Sequence, residues 1–574
     1  MSEILYDPNK RQTQHELDIV ASVMKEFGQM HSWRTMFSTH WEEVAELVLP
    51  TSRNTFFFGA YNTPGAKKTS RQVDATGMMA LSRFAAILDS LLTPRNMMWH
   101  QLSASNPDVQ KDRQVKLWFE DTTRRLFKAR YAPLANFSSQ NQQNFQSLGA
   151  FGNAAMFIDE LDGTQFGNAI GLRYRAMPIG EIFFAENHQG IVDRFIRWFR
   201  LTATQAHQKF KGNIPEQLQA AYDQKSNALF DFYHCVRPRT DDYDPQRLDA
   251  KGKPWASYYV CVQGQCLMSE GGYNSFPAPI SRYDQAPGEV YGRGPAMMVL
   301  PALKTLNAEK RIFLKAGHRA ADPVLLTGDD GIVDFSLRPG ALNKGGMNPD
   351  GKRMIDILPT GDIQITKEMM DEERSLINDA FLVTLFQILT ETPTMTATEV
   401  IERTNEKGIL MAPTVGRQQS EYLGPMIERE LDLMSEMGLL APMPGLLKEA
   451  KGEYQTIYTS PLSRAQRAQE AAGFIRTVET AKELVAITQD MSILDRFDFD
   501  TAMPEIAEIQ STPERWMADD KAVANKRKAR AIAQAKQQQI QAAPAAAAMM
   551  KAETDAQVKG TVLKPGQGVS NGGQ

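Results

Sequence analysis

The feature that most constrains this sequence is a glycine-rich turn that leads through a proline directly into a long amphipathic segment. It reads Tyr291-Gly-Arg-Gly-Pro-Ala-Met-Met-Val-Leu-Pro-Ala-Leu-Lys-Thr-Leu-Asn307. Proline is favoured in the first turn of a helix, where its missing N–H is not needed, and the apolar residues that follow recur at helical spacing. The stretch therefore predicts a helix from about Pro295 to Ala320.

A small β-rich segment and a second helix follow this first helix. Strand-like runs separated by glycine turns occupy Pro323 to Ile363, and helical spacing resumes from about Thr366 to Leu389. At about 1.5 Å per residue, a helix of this length spans roughly 40 Å, which is long enough to line a substantial channel. The sequence therefore predicts a helix, a small β unit and a returning helix, in that order.

Two further sets of residues accompany this pattern. Thr396-Ala-Thr-Glu-Val-Ile-Glu-Arg403 opens a predicted helix from Ala397 to Gly438 with an internal stop near Pro413, and it is followed by Arg417, Gln418, Ser420, Glu421, Leu423, Pro425, Ile427, Glu428, Arg429 and Met434. Shorter motifs lie upstream, at Trp41-Glu-Glu-Val-Ala45 to Pro50, at Asp74 to Pro94 and at Phe151-Gly-Asn-Ala-Ala155.

In this order, the motifs resemble the portal, or head-to-tail connector, family of short-tailed bacteriophages, over about Trp41 to Ala531. The resemblance implies an α+β, mainly helical ring subunit with a mixed α/β wing, a two-helix stem, a small β-rich clip and a helical crown. The predicted domains are a wing (1–290), a first stem helix (291–320), a clip (321–364), a second stem helix (365–389), a channel loop with a long wing helix (390–462), crown helices (463–540) and a disordered tail (541–574).

The resemblance also implies a function and a set of partners. Such a subunit forms a ring, usually a dodecamer, at one capsid vertex, and double-stranded DNA is packaged and ejected through it without sequence-specific contacts. The terminase large subunit and then a tail adaptor protein dock at the clip, while scaffold and major capsid proteins contact the wing. The implied location is the virion, after assembly in the host cytoplasm, with no cofactor and no catalytic role.

Composition sets further limits. The chain has 574 residues, 42% of them hydrophobic, and a formal net charge of -4, which argues against coating nucleic acid by bulk positive charge. The polar N-terminus and the lack of an apolar run of about 18 residues predict neither export nor a membrane span.

One local basic segment, Lys526 to Lys536, predicts a helix that is either a solvated surface or a contact with DNA or scaffold. The alanine- and glycine-rich end without aromatic residues predicts the disordered tail.

The three cysteines do not form a disulfide framework and fit a reducing cytosol. Cys261 and Cys266, with His234 and Cys235 upstream, suggest a zinc site as one interpretation. The run from Trp255 to Met268 favours the other interpretation, two strands around a turn at Val262-Gln-Gly-Gln265.

The strongest enzymatic candidate is the stretch from Gly346 to Lys352, which matches the spacing of a phosphate-binding loop. Arg353 stands where such a loop needs a serine or threonine for magnesium, and the turn leads into a strand-like run rather than a helix. The alternatives to a portal are thus a soluble nucleotide-acting enzyme that uses this loop, or another head-tail ring component. Particle size discriminates a ring from a small enzyme.

The acidic clusters at Asp241 to Asp244 and at Asp329-Asp330 are interpreted as solvated turns rather than cation sites.

Three groups of residues are predicted to carry function. Contacts with the motor and tail are placed on clip turns at Lys344, Lys352 and Arg353. The loop implied to approach the channel contains Thr390, Glu391, Thr392, Pro393 and Thr394, and it carries no Lys or Arg to grip phosphate.

The third group pairs the two stem helices. Lys304, Arg311 and Lys315 share one narrow helical face, and Glu368, Glu372 and Asp379 share another. If the helices are antiparallel, one register brings Lys315 to Glu368, Arg311 to Glu372 and Lys304 to Asp379. The sequence therefore predicts ion pairs between stem helices, within or between subunits, with a solvated outer stripe as the alternative.

Overall fold

A computed structural model describes most of the chain. The described residues are 3–8, 10–57, 65–161, 170–240, 243–327, 336, 338–344, 346–347, 349–358, 363–384, 411–450, 452–459, 461–489, 491–509, 512, 514–519, 521–537 and 551. Several predicted features lie outside these residues: the channel loop, the motif from Thr396 to Arg403, Asp241 and Asp242 of one acidic cluster, Asp329 and Asp330 of the other, and nearly all of the predicted disordered tail.

Helices dominate the described chain. They are α1 (Gln14–Leu47), α2 (Thr76–Leu92), α3 (Pro107–Gln110), α4 (Arg113–Arg130), α5 (Phe137–Phe151), α6 (Ala203–Lys209), α7 (Glu216–Asp223), α8 (Pro295–Met298), α9 (Leu300–Ala321), α10 (Ile363–Ala380), α11 (Gly424–Glu436), α12 (Gly445–Glu449), α13 (Pro461–Thr488) and α14 (Phe499–Ile509). Residues 411–418 and 521–537 are also helical.

The strands form small antiparallel sheets. They are β1 (Ile4–Leu5), β2 (His100–Ala104), β3 (Asn153–Glu160), β4 (Leu172–Ala176), β5 (Ile182–Glu186), β6 (Val192–Thr202), β7 (Leu229–Pro238), β8 (Trp255–Cys261), β9 (Cys266–Tyr273), β10 (Ile280–Arg282), β11 (Leu325–Thr327), β12 (Ile355–Ile357) and β13 (Tyr454–Tyr458). The largest sheet has the order β1-β9-β8-β7-β6-β5, a second has the order β10-β3-β4, and β11 with β12 and β2 with β13 form two pairs. The predicted α+β, mainly helical class is confirmed.

Local sequence signals place several boundaries correctly. Thr13 caps α1, because its hydroxyl accepts from the backbone N–H of Glu16 while the Glu16 carboxylate accepts from the N–H of Thr13. The predicted hairpin around residues 262–265 is formed by β8 and β9. The predicted helix at Pro295 is interrupted, because α8 ends at Met298 and α9 begins at Leu300, followed by Pro301.

The internal stop predicted near Pro413 stays a prediction, because the residues just before Met411 lie outside the described part of the chain. Residues 411–418 are helical, and an irregularity that was not predicted follows at a π-helical turn over Gln419–Leu423. The N–H of Gly424 bonds to the carbonyl of Gln419, and Pro425 follows. Proline cannot donate to the carbonyl four residues back and clashes with it, so a wider turn before Pro425 relieves the conflict.

A buried polar cluster ties four elements of the body together. The carboxylate of Glu430 on α11 accepts from Nε of Arg130 on α4 at 2.9 Å and from the hydroxyl of Tyr174 on β4 at 2.6 Å. Nη2 of Arg130 also contacts the second oxygen of Glu430 and lies 3.0 Å from Nε2 of His100 on β2. Both ions of the pair are fully buried. No local sequence pattern predicts this cluster, because its members lie far apart along the chain.

Two buried histidines make the stability of this body dependent on pH. Burial lowers the pKa of His100, as does the charge of Arg130, and burial with the charges of Lys209 and Arg197 lowers the pKa of His234. Each folded histidine therefore stays neutral while its unfolded form takes a proton below about pH 6.5.

We expect the free energy of unfolding to fall with acidification below about pH 6.5, by up to about 1.4 kcal/mol per pH unit for each histidine. Urea unfolding between pH 8 and pH 5.5 measures this slope. His234→Gln removes one of the two titrating groups, so its slope should be shallower than the parent's even where the variant is less stable. An unchanged slope in His234→Gln would contradict this account of His234.

Candidate connector site: a helix pair and its root

The short motifs scattered along the sequence meet at one place, the root of α9. Trp41 of α1 packs edge-on against Tyr291, with ring centroids 5.5 Å apart, and against Phe151, 6.5 Å apart. All three rings are buried. The hydroxyl of Tyr291 accepts from the backbone N–H of Phe184, so its polar tip is satisfied within the core. The glycine-rich turn before α8 is therefore fixed on the core of the body.

Backbone-to-backbone contact between two glycine motifs sets the start of the helix pair. Gly152 ends α5 in the left-handed conformation, with φ of 71°. A Cβ on Gly152 would lie 2.5 Å from the backbone N of Gly294, and a Cβ on Gly294 would lie 2.7 Å from the backbone N of Gly152. The side chain of Asn153 bonds to both the N–H and the C=O of Gly292, at 2.8 and 3.1 Å. These contacts hold the turn that leads into α8 and α9.

Polar contacts secure the flanks of this root. Arg374 of α10 pairs with Asp74, just before α2, at 2.9 Å. The amide side chain of Asn307 on α9 accepts from the N–H of Val73 and donates to the carbonyl of Arg71. The segment from Arg71 to Asp74 thus holds both helices of the pair.

The helical segment from residue 411 onward docks beside the same root through Arg282 of β10. Its guanidinium, 3% exposed, pairs with Glu421 at 2.9 Å and with Glu186 at 2.7 Å. The side chain of Gln418 donates to the carbonyl of Arg282 at 3.0 Å. Glu421 and Gln418 belong to the second motif of the sequence, and Glu421 lies inside the π-helical turn. That turn therefore directs a motif carboxylate at Arg282.

Away from this root, α9 and α10 leave the body. Leu300, Leu303 and Leu306 are buried at the start of α9, whereas Ile312 is 60% exposed. On α10, Met370 and Ile377 are buried near the root, whereas Ile365, near the start of the helix, is 55% exposed. We call the outer residues Ile312, Ile365 and Met369 the apolar outer face. Within one subunit this face has little cover.

A small β unit, the tip unit, joins the far ends of the pair. β11 and β12 are antiparallel, with Leu325 opposite Ile357, and a single bridge links Met347 to Arg353. The stretch from Gly346 to Lys352 leads through this bridge into β12, so the helix that a phosphate-binding loop must open is not formed there. The predicted docking residues Lys344, Lys352 and Arg353 all lie exposed on the tip unit.

The ion pairs predicted between the two stem helices are not formed within one subunit, among the residues that the structure describes. Nζ of Lys304 lies 2.6 Å from a carboxylate oxygen of Glu43 on α1, and Nη2 of Arg311 donates to the carbonyl of Arg71 at 2.5 Å. Lys315, Glu368, Glu372 and Asp379 are exposed. The root holds the basic face of α9 against the body, so this face is turned away from α10. Instead Glu309 lies near Glu373 of α10, and burial with that neighbouring charge raises the pKa of Glu309.

Three further features of the described residues bear on metal binding, membrane spanning and the basic segment near the C-terminus. No group of three or more His, Cys, Asp or Glu side chains there is placed to hold a metal ion. No helix among the same residues has both the length and the apolar character to span a bilayer. The basic residues Lys526 to Lys536 lie on an exposed helix, and Arg527 pairs there with Asp500.

Comparison with known proteins identifies the class of protein that this root and helix pair define. Residues 20–517 match the family described as bacteriophage head to tail connecting protein, and the chain belongs to that family. Among similar proteins are a probable portal protein of Bordetella phage BPP-1, 27% identical over 90% of this chain and 92% of the relative, and a portal protein of Salmonella phage epsilon15, 26% identical over 85% and 86%. The family predicted from the sequence is therefore confirmed, and this family is a structural one.

Proposed function

We propose that the chain is the portal subunit of a bacteriophage, a ring at one capsid vertex through which double-stranded DNA is packaged and ejected. In this assignment α9 and α10 are the stem, the tip unit is the clip and the preceding residues form the wing. The family match and the likeness to two phage portal proteins support this assignment. The ring contains about twelve copies, as the family resemblance implies, and assembles in the host cytoplasm before it becomes part of the virion.

The observation that carries this proposal is the apolar outer face. Ile312 and Ile365 belong to helices whose roots are firmly held, yet both side chains are more than half exposed. Burying apolar area contributes about 25 cal/mol per Å², so a neighbouring copy that covers this face stabilises the assembly. The same contact repeats at every subunit of a ring.

The remaining partners are those that the family resemblance implies. The terminase large subunit and then a tail adaptor dock at the tip unit, which lies at the far end of the helix pair. Scaffold and major capsid proteins contact the wing. The family resemblance implies that the loop from Thr390 to Thr394, which lies outside the described residues, approaches the channel. Its sequence has no Lys or Arg to grip phosphate, which would leave DNA free to slide.

A ring should form through the apolar outer face. We expect purified protein to assemble into particles of several hundred kilodaltons by native mass measurement and to show a central hole in negative stain. Ile312→Asp should shift this population to monomers, because it places a charge in the interface, while leaving the monomer's melting temperature nearly unchanged.

The matched control is Leu248→Asp, since Leu248 is 99% exposed on a loop outside the helix pair. It should assemble like the parent. Rings that persist in Ile312→Asp would show that this face is not a subunit contact, and parent protein that stays monomeric or dimeric under all conditions would overturn the ring itself.

The predicted ion pairs between stem helices are proposed to form between neighbouring subunits. Glu372 and Asp379 of α10 are exposed and available to a cation of the next copy. The same mass measurement tests this: Arg311→Glu should weaken the ring and an added Glu372→Arg should restore it. If the single variants form rings as stable as those of the parent, these ion pairs do not contribute to assembly.

Docking at the tip unit should depend on its cations. We expect simultaneous Lys344→Glu, Lys352→Glu and Arg353→Glu to leave the ring intact while weakening binding to the terminase large subunit and the tail adaptor, because three attractive charges per subunit become repulsive. Co-sedimentation of the ring with each partner measures this. If both partners bind the triple variant as they bind the parent, these three residues are an ordinary solvated surface and not a docking site.

A further inference from the structure

The β8–β9 hairpin carries two thiols directly opposite each other at its turn. Cys261 is the last residue of β8, Cys266 is the first residue of β9, and the two are register partners. Opposed residues in antiparallel strands have Cα atoms about 4.5–5.5 Å apart. This separation lies within the range of about 4.4–6.8 Å that a disulfide spans. The hairpin backbone therefore already has the geometry that a cross-strand bond needs.

Both sulfur atoms lie over the glycine of the connecting turn. A Cβ on Gly264 would stand 3.1 Å from Sγ of Cys266 and 3.5 Å from Sγ of Cys261. Gly264 thus leaves open the space in which the two thiols meet. Sδ of Met268 lies 3.6 Å from Sγ of Cys266 and closes the cluster on the strand side. Any other side chain at position 264 would crowd this space.

The surroundings make the two thiols chemically unequal. A hydrogen bond from the Cys266 thiol lowers the pKa of Cys261, and the backbone N–H groups of Gly264 and Gln263 also donate to its sulfur. The same hydrogen bond, together with burial, raises the pKa of Cys266. The hydrogen bond therefore favours the thiolate on Cys261 and the proton on Cys266. Both thiols are buried, Cys261 fully and Cys266 with 5% exposed. The third cysteine, Cys235, lies in a different part of the core, and burial raises its pKa.

We propose that Cys261 and Cys266 are a redox site that closes to a reversible intramolecular disulfide when the protein meets a peroxide. The Cys261 thiolate attacks one oxygen of hydrogen peroxide, the O–O bond breaks, and a sulfenic acid and hydroxide form. The Cys266 thiol then attacks the sulfenic sulfur, the S–O bond breaks, and the Cys266 proton joins the leaving hydroxyl to form water. The proton that Cys261 released when it became a thiolate neutralises the hydroxide. In sum, two thiols are oxidised, one peroxide is reduced and two waters are produced.

The chemistry of the site does not depend on the connector function, but the role inferred next for the disulfide rests on the proposed function. β9 pairs with both β8 and β1, so the bond would pin one end of the six-stranded sheet. A virion protein passes from a reducing cell interior to an oxidising exterior. The disulfide would therefore be open during synthesis and closed in particles outside the cell.

The full-length protein is treated with hydrogen peroxide under native conditions, quenched with catalase, unfolded and alkylated with iodoacetamide. We expect the chain to lose two of its three free thiols, with peptide mapping joining residue 261 to residue 266, and dithiothreitol to restore both. Cys235→Ser should form the same link. Cys261→Ser and Cys266→Ser should each fail to form it. Gly264→Ala, which fills the space between the sulfurs, should form it more slowly than the parent.

Two results would overturn the proposal. One is that all three thiols remain alkylatable after peroxide treatment of the folded parent. The other is that Cys261 or Cys266 accumulates as a sulfinic acid with no link between them. Far-ultraviolet circular dichroism of each variant establishes that it is folded before treatment. If Gly264→Ala does not fold, Cys235→Ser and the two single cysteine variants still decide the question.

Discussion

Replacing Glu430 by glutamine should destabilise the folded subunit by about 3–5 kcal/mol. Glutamine keeps the shape of the side chain but removes its charge, so the fully buried guanidinium of Arg130 loses the ion that balances it. The Tyr174 hydroxyl also loses a charged acceptor at 2.6 Å. Urea unfolding of the monomer, followed by circular dichroism, measures the change as a lower midpoint.

A control on the same helix separates the effect of leaving a buried charge unpaired from the effect of removing a carboxylate in general. Glu436 of α11 accepts from Asn274 at 2.6 Å and pairs with Lys253 at 3.3 Å, but it is partly exposed. Glu436→Gln should therefore cost at most about 1 kcal/mol. Equal effects of the two substitutions would contradict the view that the buried pair is essential to this body.

Gly152→Ala should be similarly damaging, at about 2–6 kcal/mol in sum. An alanine in the left-handed conformation costs about 1–3 kcal/mol, and its Cβ would stand 2.5 Å from backbone atoms of the turn before α8. Relieving that overlap costs about 1–3 kcal/mol more, because backbone cannot rotate out of the way as a side chain can. The same urea measurement gives the destabilisation.

A second glycine separates the cost of the left-handed conformation from the cost of the backbone overlap. Gly288 has φ of 80°, close to that of Gly152, but a Cβ there would meet no atom within 4 Å. Gly288→Ala should therefore show only the conformational cost of about 1–3 kcal/mol. Since Gly152 also fixes the root of α9, Gly152→Ala should weaken ring assembly, whereas Gly288→Ala should not. A Gly152→Ala protein with parent stability would remove the proposed role of this contact.

Periodicity and turn chemistry in the sequence were enough to predict the helix pair α9 and α10, the β unit between them and the β8–β9 hairpin, but not helices such as α4 and α5. The capping box at Thr13, the proline before α8 and the glycines of the β8–β9 turn are local signals, since each acts on residues within a few positions. The order of helix, β unit and returning helix, with the motifs around it, also led to the family. The predicted helix from Pro295 is wrong in one respect, because it is interrupted between the two prolines Pro295 and Pro301. The π-helical turn before Pro425 was not predicted.

Only the tertiary structure decided which side chains meet. Lys304 and Arg311 form the predicted basic stripe, but the root of the helix pair turns that stripe toward Glu43 and the Arg71 carbonyl instead of α10. The ion pair of Arg130 with Glu430 joins residues 300 positions apart, and no local pattern marks either one as buried. Periodicity determines the faces of a helix because it depends on near neighbours in the chain. What covers each face depends on how distant segments pack, and therefore on the whole fold.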